Sequence, residues 1–164
     1  MREANSFPET HIKRLKRGVA EGFVGPEYGT ELALMLYRAE ITRSQYEAAE
    51  DFVQARYAFL RVSEAKSLRA AQLESGLGSK EPDPDSEVGK RIAAREERIK
   101  RRYEELYRVV KGCGKVSCDA FMGLICENEA PNWELKFHAH QVFKALHEYR
   151  DRASRARRAK RRAA

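Results

Sequence analysis

The sequence predicts an all-α fold, with about six helices in two helical units, a polar linker between them and a basic C-terminal tail. Three observations predict it. Apolar residues recur at i, i+3, i+4 and i+7 along most of the chain. Capping residues, glycines and prolines fall between those periodic stretches. Runs of β-branched residues are missing, Val109-Val110 being the only adjacent β-branched apolar pair. No internal repeat is present.

Pro8-Glu9-Thr10 opens a first helix that runs to about Phe23, with Ile12, Leu15, Val19 and Phe23 on its apolar face. Gly22, Gly25 and Pro26 break it. A second helix spans about Glu27 to Ala39, with Leu32, Met35 and Leu36 as its buried stripe. The next boundary is specified most fully. Thr42 is placed to cap, Gln45 completes a capping box, and Ile41 with Tyr46 forms the matching hydrophobic staple.

A third helix therefore starts at Arg43 and runs to about Ala65. At helical spacing, Tyr46, Ala49, Phe52, Val53, Tyr57, Phe59 and Leu60 share one wide arc, expected as core. Residues 67–86 are rich in Ser, Gly and Pro and read as a polar linker, of which the first part, through Gln72, is compatible with helix. Asp83-Pro84-Asp85-Ser86 stops one element and starts the next.

A fourth helix covers Glu87 to about Lys111. Ile92, Ile99, Tyr103, Leu106 and Val110 make a narrow seam, and charges in i,i+4 pairs such as Glu97–Arg101 fill the rest. Gly112 and Gly114 close it. Ser117 is placed to cap a fifth helix to Glu127, with Phe121, Leu124 and Ile125 inside. After a loop through Pro131, Trp133 opens the last helix. Leu135, Ala139, Val142 and Leu146 lie on one face with Phe143 beside them, and the apolar pattern ends at Tyr149. The division expected is thus 1–66, 67–86, 87–150 and a tail, 151–164.

Composition limits what such a chain can be. Hydrophobic residues are 42% of 164, but 22 of them are alanine, which leaves 47 larger ones, enough for one modest core. No apolar run approaches the ~18 residues of a membrane span, and Met1–Thr10 lacks a secretory pattern. The expectation is a cytoplasmic protein without a membrane partner. Net charge is +7, yet residues 151–164 alone carry +6, from seven basic side chains and Asp151. The high isoelectric point therefore belongs to a tail. Terminal basic arms grip phosphate backbones without reading sequence, whereas the plainer reading is a solubilising segment. Ala153, Ala156 and Ala159 favour helix there, and charge repulsion opposes it, so the tail is expected to fray and to become helical on an anionic partner.

Cys113, Cys118 and Cys126 form an odd, sparse set that fits a reducing compartment. No CxxC knuckle occurs, and His138 and His140 point to opposite sides of a helix, so no metal is expected. Cys126, beside Ile125, reads as a buried thiol. No phosphate-cradling Gly-rich loop and no Gly-x-Ser-x-Gly elbow is present, and neither an enzyme, a cofactor nor a small-molecule substrate is expected.

Two helix-turn-helix arrangements are conceivable. In the first, the Glu40-Ile41 turn would present Arg43, Ser44, Gln45 and Glu47 at the start of a recognition helix, where Arg suits guanine and Gln suits adenine. Gln45 already has a capping role, and this helix is long for a reader. In the second, the Ser117–Glu127 helix precedes the one opening at Trp133, but Glu127 and Glu129 in its turn would repel phosphates.

Leu36-Tyr37-Arg38-Ala39-Glu40-Ile41-Thr42-Arg43-Ser44-Gln45-Tyr46 resembles the short-helix, Ile-Thr-x-x-x-aromatic, long-helix hairpin of many small bacterial helical modules. Phe121 through Tyr149, with Ile125-Cys126-Glu127 and Ala130-Pro131, is similar to the C-terminal part of small uncharacterised proteins encoded in bacterial prophages. Together they cover under half of the chain. The resemblance implies a phage or mobile-element setting and no particular residue.

These readings converge on a non-enzymatic nucleic-acid-binding protein, regulatory or accessory to DNA packaging, with DNA the expected partner. Arg152, Arg155, Arg157, Arg158, Lys160, Arg161 and Arg162 would supply phosphate contacts, with Arg43, Ser44 and Gln45 as further candidates. The alternative is a helical assembly module, possible as a homo-oligomer, in which the tail is incidental.

Overall fold

The computed structural model describes residues 30–74, 85–128 and 132–163, with the side chains of 69–74 left aside. The expected first helix, the centre of the linker and the loop at 129–131 lie outside the described residues. Among those described, the fold is all-α. Five α-helices occur: α1 (Glu31–Tyr37), α2 (Arg43–Glu74), α3 (Glu87–Gly112), α4 (Lys115–Met122) and α5 (Trp133–Ala163), with a π-helical turn at Gly123–Glu127. They group into two compact units. One gathers the described residues of 1–49 and 109–164, and the other those of 50–108.

In the first unit, α1 is short because it is fixed at both ends. Thr30 caps it, its hydroxyl accepting from the Ala33 N–H at 3.2 Å, so the helix starts at Glu31 rather than near Glu27. Its exit is a Schellman turn. Glu40 N–H donates to Met35 C=O at 2.9 Å and Ala39 N–H to Leu36 C=O at 3.0 Å, with Ala39 left-handed at φ 56°. Leu32, Ala33, Leu34 and Met35 are all buried, and Leu36 is only half-buried, so α1 is enclosed on more sides than a single stripe.

The capping box of α2 forms as its spacing requires. Thr42 N–H donates to Gln45 Oε1 at 2.9 Å, and Gln45 N–H to Thr42 Oγ1 at 3.3 Å. Ile41 and Tyr46, the staple pair, are both buried. Ala48 and Ala49 complete the stretch of α2 that belongs to this unit.

The rest of the described core of this unit comes from the C-terminal part of the chain. Val110 is buried at the end of α3. Gly114, at φ 93°, turns the chain into α4 in a conformation that a β-carbon disfavours. Phe121 of α4 meets Phe143 of α5 edge to face at 5.5 Å, and Ala139, Val142 and Leu146 bury the rest of that face of α5. Ser117 is not the cap of α4. It is buried inside the helix, where its hydroxyl donates to Gln141 Oε1 at 3.0 Å and lies 3.3 Å from His138 Nδ1. Through these two contacts it fastens α4 to α5.

The π turn reverses one expectation. Its i→i+5 bonding widens the helix by a residue and breaks the α-helical register. Leu124 stays buried, Ile125 is half-buried, and Cys126 is exposed; the buried thiol is Cys118. Asn128 ends the turn at φ 56°, and its Oδ1 accepts the Glu31 N–H at 2.7 Å. One of the orphan donors at the start of α1 is thereby satisfied.

The second unit is an antiparallel pair formed by α2 and α3. Phe59 stacks on Tyr103 at 4.6 Å, and Tyr103 on Tyr107 at 5.5 Å. Lys66 pairs with Glu96 at 2.9 Å, and Arg102 with Asp51 at 3.8 Å. The narrow seam on α3 is present, but with two helices only Phe52, Ala55 and Leu106 of the large or alanine side chains described in this unit are buried. Ile92, Ile99 and Tyr103 are half-buried, and Tyr57, expected in the core arc, is 53% exposed. Arg101 turns to Glu105 at 3.2 Å and not back to Glu97. Ser86 caps α3 through the Gly89 N–H at 3.0 Å. Helix α2 reaches Glu74, into the stretch read as linker.

No described helix is long and apolar enough to cross a membrane.

Candidate nucleic-acid interface

The side chains proposed from sequence to touch phosphate lie on α5, and α5 does not fray where the apolar pattern stops. It runs unbroken for 31 residues to Ala163. The expectation of a loose tail fails for a physical reason. The segment around Ala139–Leu146 is already helical and packed, so residues beyond it extend an existing helix and incur no nucleation cost. Ala153, Ala156 and Ala159 sustain the extension, and Lys160, Arg161 and Arg162 sit where the C-terminal end of the helix dipole favours cations.

A helix gives the basic side chains fixed directions. At about 100° per residue, Arg155, Arg157, Arg158, Arg161 and Arg162 fall on one arc of about 160°, together with Arg150. Arg152 and Lys160 lie on the other side, on or beside the face of Ala153, Ala156, Ala159 and Ala163. Arg152 Nε donates to the Glu148 carbonyl at 3.3 Å. All seven are exposed.

The basic arc faces the same way as a groove of about 410 Å³ in the first unit. Ser44 and Glu47, from the first turns of α2, form one wall. The other is α5, with His147, Arg150, Asp151 and Ser154, then Arg155 and Arg158 toward the arm. Glu47 is engaged on both of its oxygens. Glu47 Oε2 accepts from Arg150 at 2.9 Å, and its Oε1 from Arg43 Nε at 3.2 Å. Those two bonds, with Arg150 the stronger influence, hold the Glu47 carboxyl below its ordinary range. Asp151 lies 3.5 Å from His147 Nδ1. Arg155 and Arg158 make no hydrogen bond or ion pair among the described residues.

Of the candidates named from sequence, then, Ser44, Arg155 and Arg158 share this groove, and Arg43 joins it through Glu47. Arg157, Arg161 and Arg162 continue its face outward, while Arg152 and Lys160 do not. Gln45 is committed to its capping box, where Oε1 also accepts from Thr42 Oγ1 at 3.2 Å. Reading an adenine through that amide would require breaking the cap of α2. Arg43, with its guanidinium 5.6 Å from the Tyr46 ring centroid, is exposed at the helix start. Sequence reasoning missed Arg150 and His147, because it began the basic segment at Asp151, and Ser154, because it counted only the charged side chains of that segment.

Lys136 adds a second tie within this unit, its ammonium 3.0 Å from both carboxylate oxygens of Glu40. Among the described residues no three His, Cys, Asp or Glu side chains gather to hold a metal ion. Comparison with known proteins found no matching family model, no matching curated protein and no matching solved structure.

Proposed function

We propose that this protein is a non-enzymatic nucleic-acid-binding protein that uses the basic arm of α5 for phosphate contacts, with duplex DNA as its partner. One observation carries the reading: five of the seven arm cations share a helix face with Arg150 and the groove beside α2. A merely solubilising segment needs no such alignment. The phage-type setting, regulatory or accessory to packaging, rests on the sequence resemblance alone, and a helix-turn-helix role for the α1–α2 turn rests on the residue types at the start of α2.

The test is a salt titration of binding to a generic duplex, with the full chain beside a version ending at residue 150. Five aligned phosphate contacts give a slope near −4.5, so affinity falls on the order of 10²–10³ between 50 and 200 mM salt. Truncation should remove most of that slope. Unchanged binding after truncation would defeat the proposal.

The assembly reading keeps one specific observation. Tyr57, Leu68 and Val88 of the second unit are each more than half exposed. A sedimentation mass that stays monomeric from micromolar to millimolar concentration would remove self-association.

A further inference from the structure

We propose that the groove between the start of α2 and the middle of α5 is a seat for one backbone phosphate, with Arg155 and Arg158 as its charged ligands and Ser44 and Ser154 as hydroxyl donors. This deepens the nucleic-acid reading and rests on it. It assigns the strand a defined point of entry onto the folded body, where the reading alone asks only for a basic arm.

Four features of the groove fit a phosphodiester. Of its two carboxylates, Glu47 is held on both oxygens by Arg150 and Arg43, and Asp151 lies 3.5 Å from His147 Nδ1, a charge pair only when that imidazole is protonated. The cations Arg155 and Arg158 have no partner among the described residues, so their guanidinium groups are available without breaking an existing pair. Both walls offer a hydroxyl, Ser44 from α2 and Ser154 from α5, as phosphate seats commonly do. About 410 Å³ of open space admits a phosphate with its flanking sugars, and the lining is too polar for an apolar ligand. A strand leaving the seat along α5 would meet Arg161 and Arg162 next, on the same arc.

The experiment removes two charges from the full chain in two places. Arg155→Ala/Arg158→Ala empties the seat, and Arg152→Ala/Lys160→Ala removes the same charge from the other side of the helix. All four side chains are exposed, so both variants should fold, which circular dichroism verifies. The seat predicts a loss of at least about tenfold in duplex affinity at 150 mM salt for the first pair, with a slope shallower by about two units. The second pair should lose less than about threefold.

Ser44→Asp provides an independent check. An acid in the first turn of a helix favours α2 while filling the seat with negative charge, so binding should fall about tenfold with the fold intact. Gln54→Glu, on an exposed position of α2 outside the groove, controls for net charge and should lose less than about twofold. Equal losses from the two double substitutions on α5, or equal losses from Ser44→Asp and Gln54→Glu, overturn the seat and leave the nucleic-acid reading standing. No binding by the unaltered chain at 50 mM salt overturns both.

Discussion

Ala39 and Asn128 have the same φ of 56°, and replacing each by glycine should change stability in opposite directions. At Ala39 the left-handed backbone sets a β-carbon against the following carbonyl, a strain of about 1–2 kcal/mol. Glycine removes that strain and loses about 0.5–1 kcal/mol of extra chain entropy. The Schellman bonds use only backbone groups and survive the change. Ala39→Gly should therefore stabilise the fold by roughly 0.5–1 kcal/mol. Asn128 differs because asparagine already tolerates this conformation, so little strain is there to relieve. Its side chain accepts the Glu31 N–H at 2.7 Å. Asn128→Gly loses that bond, about 1 kcal/mol, and adds the glycine entropy, for a net loss of about 1.5–2 kcal/mol. Urea denaturation followed by far-ultraviolet circular dichroism reads both. With a slope near 2 kcal/mol/M, the midpoint should rise by about 0.3–0.5 M for Ala39→Gly and fall by about 0.7–1 M for Asn128→Gly. Two shifts of the same sign would refute the reasoning, since backbone conformation alone would then decide the outcome.

Three further outcomes follow from the same contacts. Phe143→Ala removes a fully buried ring and its edge contact with Phe121, and should cost about 3–5 kcal/mol in the same assay. Glu47 has a lowered pKa in the folded state, so its stabilisation is present above its ordinary value of 4.5 and is lost as pH falls through the folded value. Glu47→Gln should flatten the acid limb of a stability–pH profile; it should also release Arg150 and Arg43 and tighten duplex binding a few-fold. A thiol reagent at pH 7.5 should find one fast cysteine, Cys126, because burial foremost pushes the Cys113 and Cys118 thiols up, and sequential Cys→Ser variants assign the phases.

What the sequence made legible was local. The capping box of Thr42 and Gln45 joins residues three apart, and its distances in the structure match the pattern. The seam of α3 and the closing face of α5 are periodicities within one helix, and both were readable. Local signals also went unread, such as Thr30 at the start of α1 and Asn132, whose Oδ1 accepts the Leu135 N–H at 2.9 Å before α5. The π turn lay beyond periodicity, because a wheel drawn at one angle per residue cannot register a change of pitch, and Cys126 was placed inside for that reason. The groove lay further beyond it. Its defining bond, Arg150 to Glu47, joins residues 103 apart in sequence. The basic residues could be counted from composition, but which of them share a direction depended on the arm being helical.

That rigidity changes what binding would cost. A loose arm of 13 residues would surrender about 1–2 kcal/mol of backbone freedom per residue ordered on its partner. An arm grown from the packed part of α5 has given up that freedom during folding, so association draws on it far less. Affinity for an anionic partner should then depend on positions that carry no charge and touch nothing. Ala156→Gly/Ala159→Gly would leave every cation in place, yet loosen the rod that aims them. On the proposed reading, the alanines between the arginines would set the entropy of recognition.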